Sequence, residues 1–425
     1  MRPIFLGEIN ALTASICLRR ETKNQWERRV ALIPDAVSRL IAKGVEIDVA
    51  TSPNRIFSDQ AYREAGARVV ADEQNYPIII GIKEPIADQL EHGQTHLAFS
   101  HTIKGQPANM PLLRRFLEQK ATLIDYETIK DDSDKRMIAF GRYAGIAGAA
   151  DTLWVTGKKM ELMGRSTALT ELKQTLSYGS IAALKHQLNS MAPLSGEPVR
   201  FLIVGGGNSG KGAAEVMQWL GIPKIPASDV RNNPPGSWYA LLHTKDVIRC
   251  KDGGPFDAPA YKQHGAEHFE SDFEKYLGHF DVLIQTAFWD HAYPKHLDQA
   301  LMKRRADELP IVIGDISCDV MGSLECTTRI TTIDEPCMTY NPRTSDVSEG
   351  IGLDGPTVIA VDNLPCELSM DASSHFSTAL EPMMPDLARV CELSGYNQLP
   401  QALARAVIVF RGDLTADYRY LEQYL

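Results

Sequence analysis

Residues 201–220 read FLIVGGGNSGKGAAEVMQWL, and this stretch limits the folds open to the chain more than any other. Residues 201–204 are an apolar run of strand length. Ala213, Val216, Met217 and Leu220 then recur at i, i+3, i+4 and i+7, the spacing of a helix with one buried face. Between them Gly205, Gly207 and Gly210 form G-x-G-x-x-G, in the strand–turn–helix setting that a dinucleotide site requires. Bare backbone lets a pyrophosphate come close, and the helix N-terminus turns its N–H groups toward it. Asn208 and Gly212 complete the loop, so the expected cofactor-binding set is Gly205, Gly207, Asn208, Gly210 and Gly212. The competing reading is a glycine-rich turn with no ligand. A P-loop is excluded, because the Ser or Thr that follows its lysine is missing. An acid about 20 residues further on should meet the ribose, and Asp229 is the candidate, with Arg231 beside it. Asp229 favours NAD and Arg231 suits the 2′-phosphate of NADP. The pair leaves NADP or NAD open, with a solvated loop as the bland alternative.

The chain has 425 residues and a net charge of −10, which suits two or three domains. An acidic balance argues against nucleic acid or an anionic membrane as a general partner. The seven cysteines are scattered without C-x-x-C spacing, as expected of reduced thiols in a cytoplasmic protein. No metal motif is apparent. Glu8 interrupts the N-terminal apolar patch, and no run approaches the roughly 20 apolar residues of a membrane span, so no signal peptide and no membrane partner are expected.

Up to residue 126 the pattern alternates strand and helix. Strands are expected near 15–18, 45–49, 67–70, 77–83, 96–100 and 122–126, and helices near 35–43, 62–65 and 112–120. This predicts an α/β domain with a mostly parallel sheet. In such sheets ligands sit beyond the carboxyl ends of strands. Two of these strands end at Lys83-Glu84 and at His101, with Lys104 close behind. Taken singly, Lys83 reads as a surface lysine and His101 as a structural histidine. Together at neighbouring strand ends they read as proton-transfer groups. Residues 136–150 carry many small side chains, as a closely packed helix would. Further strands are expected at 281–286, 311–316 and 357–361, helices at 179–188, 371–380 and 384–393, loop over 319–355 and an amphipathic tail over 414–425. Residues 247–276 show no clear period.

The segments LRRETKNQWERRVALIP, IIIGIKEP, FSHTIKGQPANMPLL, LIDYETI, IAFGRYAGIAGAAD, DISCD and VIAVDNLPCELSMDAS occur in that order. On these the chain resembles the lysine–2-oxoglutarate reductase domain, the lysine-forming saccharopine dehydrogenase family, and more distantly alanine dehydrogenase and the transhydrogenase substrate domain. The resemblance implies two Rossmann-like, doubly wound α/β domains flanking a cleft. Residues 1–145, completed by 366–425, would form the substrate domain, and 146–365 the dinucleotide-binding domain. It implies a reaction in which the ε-amine of lysine adds to the keto carbon of 2-oxoglutarate, water leaves, and a nicotinamide hydride reduces the imine to saccharopine. Lys83 and His101 would be the acid–base pair, with Glu84 and Glu127 tuning them or simply forming structural ion pairs. Arg19, Lys104 and Arg136 match positions expected near the substrate carboxylates, with Glu127, Phe140 and Asp362 also at substrate-binding positions. For Arg136 the alternative is a solvated charge; for Phe140 and Asp362, packing and capping. Residues 167–173 do not match the family pattern, and the glycine loop matches neither branch in full, so the cofactor and the amine stay open. An alanine-dehydrogenase-like or opine-type enzyme is the alternative, and a nucleotide-sensing protein without turnover a third. A homo-oligomer is compatible with the resemblance. Relatives often carry a further saccharopine-oxidising domain; this sequence stops before one, so a separate enzyme is expected to run the next step.

Overall fold

Three consecutive isoleucines, Ile78–Ile80, are all buried; a strand so branched and so apolar suits a sheet covered on both faces. The computed structural model, which describes residues 14–425, divides the chain into two units. One holds residues 14–139 together with Ser369–Leu425; the other holds Phe140–Leu368. In the first unit, strands β1 (Ile16–Leu18), β2 (Ile47–Ala50), β3 (Arg68–Val70), β4 (Ile78–Ile80), β5 (Thr95–Ala98) and β6 (Thr122–Asp125) lie parallel in the order β6-β5-β4-β1-β2-β3. Helices α1 (Pro34–Ala42), α2 (Asp59–Glu64) and α3 (Met110–Glu118) connect them. α1 starts on Pro34, whose missing N–H costs nothing in a first turn, and buries Ala36, Val37 and Leu40. The strand order reverses between β1 and β4. This is the switch point at which open α/β sheets bind ligands, and Arg19 and Lys83 follow these two strands.

The second unit opens on the long helix α4 (Gly141–Leu162), then α5 (Ile181–Ser190), β7 (Arg200–Val204) and α6 (Asn208–Trp219). Strands β8 (Lys224–Ile225) and β9 (Trp238–Leu242) follow, then a separate antiparallel pair, β10 (Ile248–Cys250) and β11 (Phe269–Ser271). β12 (Val282–Gln285), β13 (Val312–Asp315), β14 (Cys337–Tyr340), β15 (Val347–Glu349) and β16 (Thr357–Ile359) complete a sheet ordered β15-β14-β16-β13-β12-β7-β9-β8. It is parallel except for β14 and β15. α4 and α6 pack backbone to backbone. A Cβ on Gly145 would lie 1.9 Å from the Ser209 carbonyl oxygen, and one on Gly212 would lie 2.2 Å from that of Arg142. The small residues of 136–150 answer this need.

The chain then returns to the first unit through the helix Ser369–Leu380. It adds β17 (Val407–Phe410), antiparallel to β6, and β18 (Asp413–Leu414) beyond it. Several stretches differ from expectation. Residues 247–276 hold β10, β11 and the helix Ala258–His264 between them. The expected loop over 319–355 supplies β14 and β15. The helix expected over 384–393 is one turn, Met384–Leu387, followed by the tight turn Val390–Glu392. β17 lies in a stretch for which no strand was expected. Among the described residues no helix is long and apolar enough to cross a membrane.

Candidate functional site

The carboxyl ends of β1, β4, β5 and β6 gather most of the expected substrate-side residues. Arg19 follows β1 directly and is buried. Its Nη2 donates to Glu21 Oε2 at 3.0 Å and to the carbonyls of Lys83 at 2.5 Å and Glu84 at 3.2 Å. Glu21 in turn accepts from the backbone N–H of Ile82 at 2.6 Å and of Lys83 at 3.1 Å. Arg19 is thus tied to the turn that carries Lys83. Of its guanidinium nitrogens only Nε lacks a partner. Burial pushes the Glu21 carboxyl up, and the Arg19 charge pulls against that. Lys83 itself is half-buried.

Glu84 sits between Lys23 and His101. Lys23 Nζ donates to Oε1 at 2.6 Å, and His101 Nδ1 stands 3.5 Å from Oε2, an ion-pair distance rather than a hydrogen bond. Burial pushes the Glu84 carboxyl up, but His101 and Lys23 outweigh it and hold the group below the usual carboxylate range. Glu84 is thus an anion beside His101. His101 has φ of +53°, a left-handed backbone that a bulky residue seldom adopts. Its ring lies nearly parallel to that of Phe99, with centroids 6.4 Å apart.

The turn is held from beneath by Asp125 at the end of β6, a residue the sequence reading passed over. Asp125 is fully buried. One carboxylate oxygen accepts from the Ser100 N–H at 2.9 Å and, in a short bond, from the Ser100 hydroxyl. The other accepts from the Glu127 N–H at 2.7 Å. Ser100 Oγ also meets Thr102 Oγ1 at 2.8 Å, and Asn109 Nδ2 donates to the His101 carbonyl at 2.9 Å. Burial pushes the Asp125 carboxyl up, against the pull of these donors. One carboxylate therefore sets the turn of His101 and the turn of Glu127 together. Glu127 forms a close ion pair with the exposed Arg136, and Lys104 is exposed two residues after Thr102. Phe140 and Asp362 belong to the second unit, Phe140 just ahead of α4 and Asp362 exposed beyond the end of β16.

In the second unit the strand order reverses between β7 and β12, and the glycine turn stands at that point. Gly205 has φ of +110°, and a Cβ on Gly210 would lie 1.7 Å from the Gly205 carbonyl oxygen; the turn is closed only because both lack side chains. Gly207 has nothing within 4 Å of where its Cβ would be, so the loop faces open space. That space is a cavity of about 400 Å³, lined by the loop through Asn208 and Ser209, by Thr244, and by Thr286, Trp289 and His296. No side chain caps the N-terminus of α6. On the wall, His296 Nδ1 is buried without a hydrogen-bond partner. Burial takes its pKa down to about 4. A bare-backbone cradle, an uncapped 12-residue helix and an unpartnered polar atom fit a dinucleotide.

Three expected cofactor residues move. Gly212 is buried against α4 and serves helix packing instead. Asp229 and Arg231 lie on the turn Ala227–Asn232, which precedes β9. The strand beside β7 is β9, and the residues after it are His243, Thr244 and Lys245. The count of about 20 residues fails because β8 and the proline-bearing segment before Trp238 lengthen the connection. Asp246 stands in the same turn, where its Oδ2 accepts from the His243 N–H at 2.8 Å. For metals, the described residues bring His264, Glu267 and His268 together on the surface of this unit.

Two doubly wound α/β units, one with a dinucleotide-type turn at its switch point, define a nucleotide-binding two-domain class. The comparisons narrow it: the alanine dehydrogenase/PNT N-terminal domain matches residues 17–147 and the C-terminal domain matches 183–417, and the chain belongs to this family. An alpha-aminoadipic semialdehyde synthase from Arabidopsis thaliana is 34% identical over 94% of this chain, and the chain spans 40% of that relative's length. A saccharopine dehydrogenase [NAD(+), L-lysine-forming] from Candida glabrata is 29% identical over 88% of this chain and 92% of its own. Among solved structures an L-alanine dehydrogenase matches with a TM-score of 0.63 at 18% identity, covering 96% of this chain and 98% of its own, which speaks for the fold alone.

Proposed function

We propose that the chain is a nicotinamide-dependent oxidoreductase that condenses the ε-amine of L-lysine with 2-oxoglutarate to give saccharopine, or runs the reverse. The observation that carries this is the contact of Glu84 with His101, next in sequence to Lys83, at the ends of adjacent parallel strands, in a chain whose relatives bear the names given above. The chemistry needs two proton carriers. One serves the keto oxygen as it leaves as water; the other takes the proton that the attacking amine sheds. A half-buried lysine and an imidazole are groups that can be tuned near neutrality. Glu84, anionic beside His101, stabilises the imidazolium formed when that ring takes a proton. Arg19, Lys104 and Arg136 are the cations that would serve the substrate carboxylates. A bound nicotinamide supplies the hydride that reduces the carbon–nitrogen double bond. The loop from Gly205 to Ser209 would hold its pyrophosphate, and His296 would offer a polar contact deeper in the cavity.

The 2′ group of the cofactor reads as a phosphate. The strand beside the glycine turn ends in His243, Thr244 and Lys245, with the Asp246 carboxylate accepting from the His243 N–H. A phosphate is matched by the Lys245 cation and the Thr244 hydroxyl; a bare ribose would call for an acid.

The test is oxidation of NADPH and of NADH with 2-oxoglutarate, with and without lysine, by the wild type and Lys83→Met. Lysine-dependent oxidation that collapses in the variant is expected, with NADPH the better donor. Turnover with ammonia and pyruvate but not with lysine would overturn the substrate reading in favour of an alanine-dehydrogenase-like reaction. Binding of NADPH without turnover for any amine would leave a nucleotide sensor.

A further inference from the structure

The surface of the second unit carries a group of metal-ligating side chains that neither site above uses. The helix Ala258–His264 ends at His264, and the chain continues through the tight turn Gly265–Glu267 into His268. The turn is fixed by its backbone. Ala266 N–H donates to the Ala292 carbonyl at 2.6 Å, and a Cβ on Gly265 would lie 2.0 Å from that same oxygen. On the other side Lys251 N–H donates to the His268 carbonyl at 3.0 Å, and Lys251 Nζ donates to the carbonyls of Ala266 at 2.7 Å and Glu267 at 3.2 Å. Gly265, at φ of +47°, ends the helix, so it is this braced turn rather than helical spacing that brings His264, Glu267 and His268 together. One ligand atom from each lies within 4.8 Å of the others. The two imidazoles stack with centroids 4.3 Å apart and planes 16° from parallel, and Glu267 Oε1 is 3.7 Å from His268 Nε2.

We propose that His264, Glu267 and His268 bind one divalent transition-metal ion of the zinc class. Two imidazole nitrogens and one carboxylate oxygen are a borderline donor set; magnesium and calcium ask for oxygen alone. Ligand bonds of roughly 2.0–2.2 Å require the three donor atoms to close in from their present spacing, which is a matter of side-chain rotation. The side chains have that freedom, since His268 is 53% and Glu267 75% exposed. Simpler roles account for the residues one at a time. A histidine in the last turn of a helix complements the helix dipole, and an exposed Glu–His pair contributes little. Neither explains three ligating atoms gathered on one braced turn. Three protein donors leave a position for water, and the site is independent of the reaction proposed above. In the sequence its trace is HGAEH at 264–268, two histidines four apart with a glutamate between them.

The experiment uses the full chain, stripped with a chelator and titrated with Co²⁺ under visible absorption, with Zn²⁺ displacing it. One equivalent should bind, with a ligand-field spectrum of nitrogen and oxygen donors. His264→Gln/His268→Gln should abolish it, and Glu267→Gln should weaken it by at least the about 10–100-fold that loss of an outer-shell partner costs. Affinity should fall on acidification, because protons compete for the ligands. His291→Gln should bind as the wild type does, which separates this site from the chain's other histidines. Circular dichroism of the metal-free variants should match the wild type, and zinc should raise the unfolding temperature of the wild type but not of the double variant. Absence of stoichiometric binding, or binding undiminished in the double variant, would overturn the proposal.

Discussion

Replacing Asp125 by Asn changes one buried atom and tests how the His101 turn is held. The carboxylate accepts two bonds from Ser100 on one oxygen and one from the Glu127 N–H on the other. An asparagine keeps its oxygen best where two donors converge, so its NH₂ is left facing the Glu127 N–H. That buried donor loses its partner, at a cost of about 1–3 kcal/mol. The bonds from Ser100 fall from the charged class to the neutral one, about 1 kcal/mol more. The first unit should lose about 2–4 kcal/mol in all, read as a drop in the urea midpoint with the slope unchanged. The left-handed backbone of His101 is itself worth about 1–3 kcal/mol of strain, comparable with what is removed, so the turn should relax and His101 should drift from Glu84. In the reaction proposed above, kcat should fall and the pH profile of kcat/KM should change. The KM for the dinucleotide should hold, because its binding loop is in the other unit. Ser100→Ala, which keeps the Ser100 N–H bond, should show a smaller effect of the same kind. A variant with the wild-type urea midpoint and pH profile would refute the reasoning. So would a loss of activity that tracks only the unfolded fraction.

In the second unit Asp151 and Glu367 form a buried pair, each with one oxygen unpartnered by other groups, while Thr175 N–H donates to Asp151 and Leu176 N–H to Glu367. Burial, and then the Asp151 charge, raises the Glu367 carboxyl well above its usual value, and burial raises Asp151. A raised carboxyl contributes fully below its unfolded value of about 4.3 and loses that contribution as pH rises through the folded value, so the wild type should weaken on the alkaline side. Glu367→Gln can donate to Asp151 and still accept from Leu176 at any pH; denaturation across the pH range should show a flatter profile and a gain of about 1–3 kcal/mol at alkaline pH. A second contrast sits in the glycine turn. Gly210→Ala forces the turn open and should lose both stability and dinucleotide binding, whereas Gly207→Ala should fold normally and still bind more weakly, as judged by quenching of protein fluorescence.

What could be read from the sequence follows from what burial does to composition. β4 and β7 are covered strands in parallel sheets, so they stand out as apolar runs, and the glycines after β7 have no other reason to cluster. Lys83 and His101 were legible because a strand end is visible in one dimension. Asp125 was not: a buried carboxylate that ties two turns together looks like any polar residue closing a strand. The partners of Arg19, Glu21 and two carbonyls, were not legible either, because the fold sets them. Asp229 was misplaced by a count, since an inserted strand and prolines shifted β9 along the chain. The short elements of 247–276 bury too little each to impose a period, and β17 pairs with a strand nearly three hundred residues away.

That last pairing bears on how the molecule comes into being. The second unit is continuous in the chain, but the first is split around it, so β6 is made early and its antiparallel neighbour very late. Until Val407–Phe410 arrives, the flank of β6 presents open backbone groups, the template on which other chains add. Synthesis from the N-terminus therefore favours folding of the inserted unit first, while the strand that carries Asp125 waits as a nascent edge in need of shielding.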